Sequence, residues 1–97
     1  MTGIIFTLAA RQDIMAAQSW YEKELPGLGQ RFVQALDDRI HDIAAHPKRY
    51  PEAIPSVRRA RLARFPYVIY FREDGGDIHV LACFHSSRHP TVWQKRV

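Results

Sequence analysis

The chain is predicted to be an α+β domain of order β-α-α-β-β-β, an antiparallel helical hairpin packed on one face of a mainly antiparallel four-stranded sheet. Three observations predict it. Apolar residues recur every three or four positions from Ala10 to Ile43 with one break at Pro26-Gly27, the spacing of two helices joined by a short turn. Two runs rich in aromatic and β-branched residues, Phe65 to Phe71 and Ile78 to Phe84, flank the acidic segment Glu73-Asp74-Gly75-Gly76-Asp77. That is hairpin-turn composition, because glycine tolerates the positive φ that tight reversals need. Ahead of the helices, Gly3 to Leu8 is a short β-branched run suited to a strand whose partner lies far along the chain.

Each element follows from local chemistry. The first strand is expected to pair at one sheet edge after the helices have crossed a face. In the first helix, Ala10 to Glu24, residues Ala10, Ile14, Ala17 and Tyr21 share a side, and Trp20 and Tyr21 serve helix packing. Asp13 falls in its first turn, where a carboxylate favours the positive end of the helix dipole, and Pro26-Gly27 stops it. The second helix begins near Leu28 and carries the stripe Leu28, Phe32, Leu36, Ile40 and Ile43, with Arg31, Gln34, Asp38, Arg39 and Asp42 directed largely away. Pro47 ends it, since proline forces the preceding residue out of helical geometry. Pro51 and Pro55 bracket an irregular connector, Pro47 to Val57. A three-stranded meander follows: a strand through Arg58, Arg59, Arg61 and Arg64, then the two apolar runs. Pro66 marks a bulge or a strand start, because it has no amide to give to a ladder. The tail, Ser86 to Val97, is anchored on the sheet by Trp93, and the sheet face away from the helices is expected to stay open.

The bulk properties narrow the function classes. Ninety-seven residues, 46% hydrophobic and 25% charged, fit one domain spanning residues 1–97 with a modest core that a stable partner would support. A net charge of +4 and a pI near 9.6 favour polyanionic or acidic partners. Cys83 is the sole cysteine and lies inside an apolar run, so it reads as a buried small hydrophobe; an internal disulfide is excluded. His46 and His79 have no neighbours at metal-ligand spacing, so neither a metal site nor a cofactor is expected. No run is long enough to span a membrane, and Met1 to Leu8 lacks the pattern of a secretion signal, which makes a cytoplasmic protein the expectation.

The order of elements, with WYE at Trp20 to Glu22, PGLGQRF at Pro26 to Phe32, HPKRYP at His46 to Pro51, FPYVIYF at Phe65 to Phe71 and HSSRHP at His85 to Pro90, resembles the RelE/ParE family of toxins from bacterial type II toxin–antitoxin pairs. The resemblance runs from about Ala10 to Arg96 and implies a small basic toxin neutralised by a cognate antitoxin whose C-terminal segment wraps around it. The RelE-like branch implies ribosome-dependent, metal-independent cleavage of mRNA, which needs a base, an acid and cations around the phosphoryl centre. The ParE-like, plasmid-stabilisation branch implies inhibition of DNA gyrase by binding.

Should the chain be an RNase, the candidate catalytic groups are Arg61, Arg64, His85 and Arg88. No second acid/base partner accompanies them, and no tyrosine follows Tyr70. Arginine is a poor general acid or base because its pKa stays far above neutrality. The arginine-bearing strand and the H-x-x-R-x-P ending therefore look closer to the ParE-like branch, and no catalytic residue is assigned. The candidate antitoxin- or target-binding residues are Arg58, Arg59, Arg61, Arg64, His85, Arg88 and Trp93, with His89 completing a basic cluster. The partners implied are an antitoxin and DNA gyrase, or the ribosome and mRNA in the alternative, with DNA reached only through the antitoxin and no membrane. A nontoxic member that survives as a partner-binding module is the third reading.

Overall fold

The computed structural model describes residues 3–88 and 91–96. Helix α1, Leu8–Glu24, is capped by the Thr7 hydroxyl, which accepts the Ala10 amide at 3.1 Å. It starts two residues earlier than the apolar stripe suggested, so Asp13 lies beyond its first turn and is not a dipole partner. Ala10 and Ala17 are buried and Ile14 and Tyr21 pack beside them, which is the expected stripe. Trp20 departs from expectation: it is 57% exposed and touches Tyr21 only edge-on.

Helix α2, Leu28–Ala45, buries Phe32, Leu36, Ile40 and Ile43. Its N-cap residue, Gly27, has φ +92° and no capping side chain of its own. Glu22 of α1 supplies the cap instead. Its carboxylate accepts the Gly27 amide at 2.9 and 3.1 Å and the Gly29 amide at 3.1 Å, satisfying donors that a helix start leaves unpaired. The helices approach closely there, since a Cβ on Gly29 would lie 2.8 Å from the Gln18 carbonyl oxygen. His46 closes α2 and Pro47–Arg49 form a 3₁₀ turn.

The sheet has five strands rather than four: β1 Ile4–Phe6, β2 Glu52–Ile54, β3 Val57–Arg61, β4 Tyr67–Asp74 and β5 Asp77–His85, in the order β1-β5-β4-β3-β2. The additional strand, β2, lies inside the segment expected to be an irregular connector. Pro51 and Pro55 flank it without breaking it because an edge strand needs a ladder on one side only. The meander β3-β4-β5 is antiparallel as expected, while β1 runs parallel to β5, with Ile4, Ile5 and Phe6 opposite Ile78, His79 and Val80. Gly75 and Gly76, at φ +61° and +87°, make the β4–β5 turn, and β4 starts directly after Pro66. A bulge follows from the register: Tyr70 faces Ala82 and Phe71 faces Val80, so Leu81 is the extra residue. It places both Leu81 and Ala82 on the face away from the helices, which is why β5 does not alternate cleanly.

Two apolar layers result. The helix-side layer joins the helices to Ala60, Ile69, Phe71, Ile78, Val80 and Cys83. The opposite, distal layer holds Val57, Val68, Tyr70, Leu81, Ala82 and Phe84, and it is not left open. The short helix α3, Thr91–Gln94, lays Trp93 over it, fully buried and stacked on Tyr70 at 4.1 Å with the rings 26° apart. Beyond α3, Arg96 donates to Asp13 at 2.7 and 3.2 Å and to the Leu81 carbonyl at 3.1 Å. Asp13 also accepts the Cys83 amide at 3.1 Å, so one carboxylate fastens α1, β5 and the tail together.

Candidate functional site

Register assigns each predicted residue to a side of the sheet, because directly opposed residues share a face and side chains alternate with a period of two. Arg59 and Arg61 stand opposite Tyr70 and Val68 of the distal layer, so both project from the distal face, and both are exposed. Arg58, opposite Phe71, lies on the helix side, half-buried, and donates to the Tyr50 carbonyl at 2.6 Å. By the same alternation Arg72, opposite His79, joins the distal face. The tail adds two more cations: the guanidinium of Arg88 sits over the Phe84 ring at 4.2 Å and that of Arg96 at 4.9 Å.

The other predicted residues lie elsewhere. Arg64 is not on a strand, since β3 ends at Arg61 and Leu62 turns into the core. It adopts φ +70° in the turn before β4 and borders a groove beside α2 with Arg31, Arg39, Leu28, Ala35 and Phe65. His85 ends β5 opposite Tyr67 on the helix side. Its Nδ1 accepts the Ser87 amide at 3.1 Å and lies 2.7 Å from the Ser87 hydroxyl, which puts the ring proton on Nε2. Its ring meets Tyr67 edge-on at 5.4 Å. Trp93 is the tail's anchor, with its indole beneath the surface. His89 lies outside the described residues.

Electrostatics separates anchoring charges from available ones. Among the described residues, ion pairs join Arg39 and Arg49 to Asp42 and Arg96 to Asp13; Arg59, Arg61, Arg64, Arg72 and Arg88 belong to none of these. Asp42 also accepts a hydrogen bond from the Tyr50 hydroxyl, which with the neighbouring Arg49, His46 and Arg39 holds its carboxyl below the usual carboxylate range. Arg39 donates to the Tyr50 hydroxyl at 3.2 Å, so this cluster pins the 3₁₀ turn to α2 and accounts for the basic and aromatic residues around it. Burial pushes the Tyr67 phenol above its ordinary pKa, keeping it neutral beside His85. A shallow cleft brings Tyr67, His85 and Arg88 together with Gln12 and the exposed Trp20.

The arrangement can therefore present positive charge on a rigid sheet. It has less to offer acid–base chemistry, because the distal cations are chiefly arginines and Asp13 is committed to Cys83 and Arg96. Sequence reasoning missed Arg72, Arg96 and Tyr67. A strict count of two from Tyr70 would have found Arg72, whereas Arg96 requires the contact across 83 residues to Asp13. Among the described residues no group of three His, Cys, Asp or Glu side chains could hold a metal ion, and no helix is long and apolar enough to cross a membrane.

Comparison with known proteins bears on this geometry. No curated protein matches the chain. Among solved structures, the chromosomal ParDE TA system from P. aeruginosa superposes with a TM-score of 0.65 at 22% identity, covering 88% of this chain and 96% of that one, a likeness of fold. The family model described as ParE toxin of type II toxin-antitoxin system, parDE, matches residues 4–90. On that match, which spans every strand and both long helices, the chain belongs to the ParE toxin family of type II toxin–antitoxin systems.

Proposed function

We propose that this protein inhibits DNA gyrase by binding it, in the ParE-like manner, and that a cognate antitoxin neutralises it. The observation that carries this reading is the set of exposed arginines on a stiff surface, Arg59 and Arg61 on β3 with Arg72 beside them and Arg88 over Phe84, outside the ion pairs of the described residues. Such a surface attracts an acidic macromolecule and docks it without chemistry. The antitoxin segment is acidic and apolar: its carboxylates meet Arg59, Arg61 and Arg64, and its hydrophobic side chains enter the groove lined by Leu28, Ala35 and Phe65.

The test is a purified supercoiling assay. The free protein added to gyrase is expected to stop supercoiling, and prior addition of the antitoxin to restore it; undisturbed supercoiling at excess protein overturns the proposal. Charge reversal at Arg59 and Arg61 slows and weakens antitoxin binding at low salt, and unchanged binding removes the arginine strand from the docking surface.

One observation favours the endoribonuclease reading, the cleft that holds Tyr67, His85 and Arg88. It is the weaker one, because a phenol with a raised pKa is no base at neutral pH and His85 Nδ1 is engaged by Ser87. Cleavage of mRNA on translating ribosomes, abolished in Arg61→Ala and His85→Ala, would establish it over gyrase inhibition. Normal growth on full induction without antitoxin would instead mark a nontoxic partner-binding member.

A further inference from the structure

The distal face carries an inference that does not depend on gyrase. Its apolar centre is closed: Trp93 is 0% exposed, Phe84 2%, Val68 7% and Tyr70 9%. Exposed around it is a frame of guanidinium groups, those of Arg59, Arg61 and Arg72 from the sheet and of Arg88 beside Phe84, while Arg96 is held by Asp13 and Ile5 stands 43% exposed at the β1 edge. Strand geometry spaces Arg59 and Arg61 about 7 Å apart along β3, and β5 runs about 10 Å away across the sheet.

The chemistry of an occupant follows from what this frame lacks. Among the described residues, the centre offers a protein segment no open apolar anchor while the tail is in place. An unpaired nucleic-acid strand finds the described rings of this layer, Tyr70, Phe84 and Trp93, all buried, and strand binders rely on open aromatic faces for stacking. A duplex backbone needs neither, because fixed cations bind it by displacing its condensed counterions.

We propose that the distal face binds the phosphodiester backbone of duplex nucleic acid directly and without sequence preference. This chain would then touch duplex DNA itself, which the family resemblance reaches only through the antitoxin.

Fluorescence anisotropy of the antitoxin-free chain with a labelled duplex of arbitrary sequence, across a salt series, tests it. DNA and RNA duplexes form separate arms, since the backbone chemistry is common to both. The logarithm of affinity is expected to fall linearly with the logarithm of salt concentration. Arg59→Gln with Arg61→Gln should flatten that slope by about 2, since each phosphate that is no longer neutralised removes about 0.9. Arg59→Lys with Arg61→Lys should restore it, which separates charge from folding. Arg11→Gln with Lys23→Gln, on α1, should leave it unchanged.

Failure to bind either duplex, an unaltered slope in the double glutamine variant, tighter binding of a single strand of equal length, or equal competition by polyglutamate each overturns the proposal. Gyrase inhibition is read in a separate assay, so loss of one activity with the other intact tells the two readings apart.

Discussion

Replacing Asp13 with alanine removes the one side chain that ties α1, β5 and the tail together. Its carboxylate accepts the Cys83 amide at 3.1 Å and both arms of Arg96 at 2.7 and 3.2 Å, and the pair is sheltered, with side chains 12% and 27% exposed. A hydrogen bond to a charged group contributes about 1.5–3 kcal/mol, and an exposed ion pair only about 0.2–1. Asp13→Ala is therefore expected to cost about 2–4 kcal/mol, which for a chain of this size lowers the melting temperature by roughly 10–25 °C. Arg96→Ala should cost less, about 1–2 kcal/mol, because Asp13 then keeps its bond to Cys83. The assay is urea and thermal unfolding followed by circular dichroism on both single variants and the double variant. The cycle should show a coupling of about 1 kcal/mol or more. Equal losses in the two single variants, or an Asp13→Ala protein within about 0.5 kcal/mol of the parent, would refute the three-way fastening.

Three further outcomes are expected. Glu22→Ala should destabilise by about 1 kcal/mol, the usual loss of a helix cap, and Glu22→Gln by less; no change in the urea midpoint would deny Glu22 its capping role. Gly29→Ala should cost about 1–3 kcal/mol, because the new methyl meets the Gln18 carbonyl at 2.8 Å and the helices must part; an unaltered midpoint would mean the hairpin yields freely. Burial pushes the Cys83 thiol from 9.0 up to about 12, so its folded pKa exceeds its unfolded one. Stability from this group is whole below pH 9 and is lost as the pH rises towards 12, a window in which the raised phenols of Tyr21, Tyr50 and Tyr67 act in the same direction. Unfolding midpoints measured across that window should fall, less steeply in Cys83→Ala; a flat profile in the parent would contradict the burial.

Most of the fold was legible because its signals are local. The stripes Ala10 to Tyr21 and Leu28 to Ile43, the glycine pair at Gly75 and Gly76 and the start after Pro66 each follow from a few neighbouring residues, and all appear in the structure. What was not legible depends on partners distant in sequence. Strand β2 is three residues between prolines, a pattern that carries no strand signal until β3 lies beside it. Pairing of Ile4 with Ile78 cannot be oriented from either segment alone, which hid the parallel edge. At the site, four arginines within Arg58 to Arg64 looked like one patch, yet the alternation of the strand sends Arg58 to the helix side, and the turn at positive φ carries Arg64 to the groove. Trp93 was legible as an anchor but not as the lid that closes the distal layer, since nothing near it in sequence names Tyr70 as its partner.

The parallel join of β1 to β5 has a consequence for biosynthesis. Gly3 is made 74 residues before its partner Asp77, and Asp13 is made 83 residues before Arg96. An emerging chain holds β1 unpaired until β5 has been made, and the contacts that close the sheet then span 74 residues, the kind that folds slowly. The cations beside Phe84 therefore come together only once the tail through Arg96 has been made, well after Arg59 and Arg61 of β3.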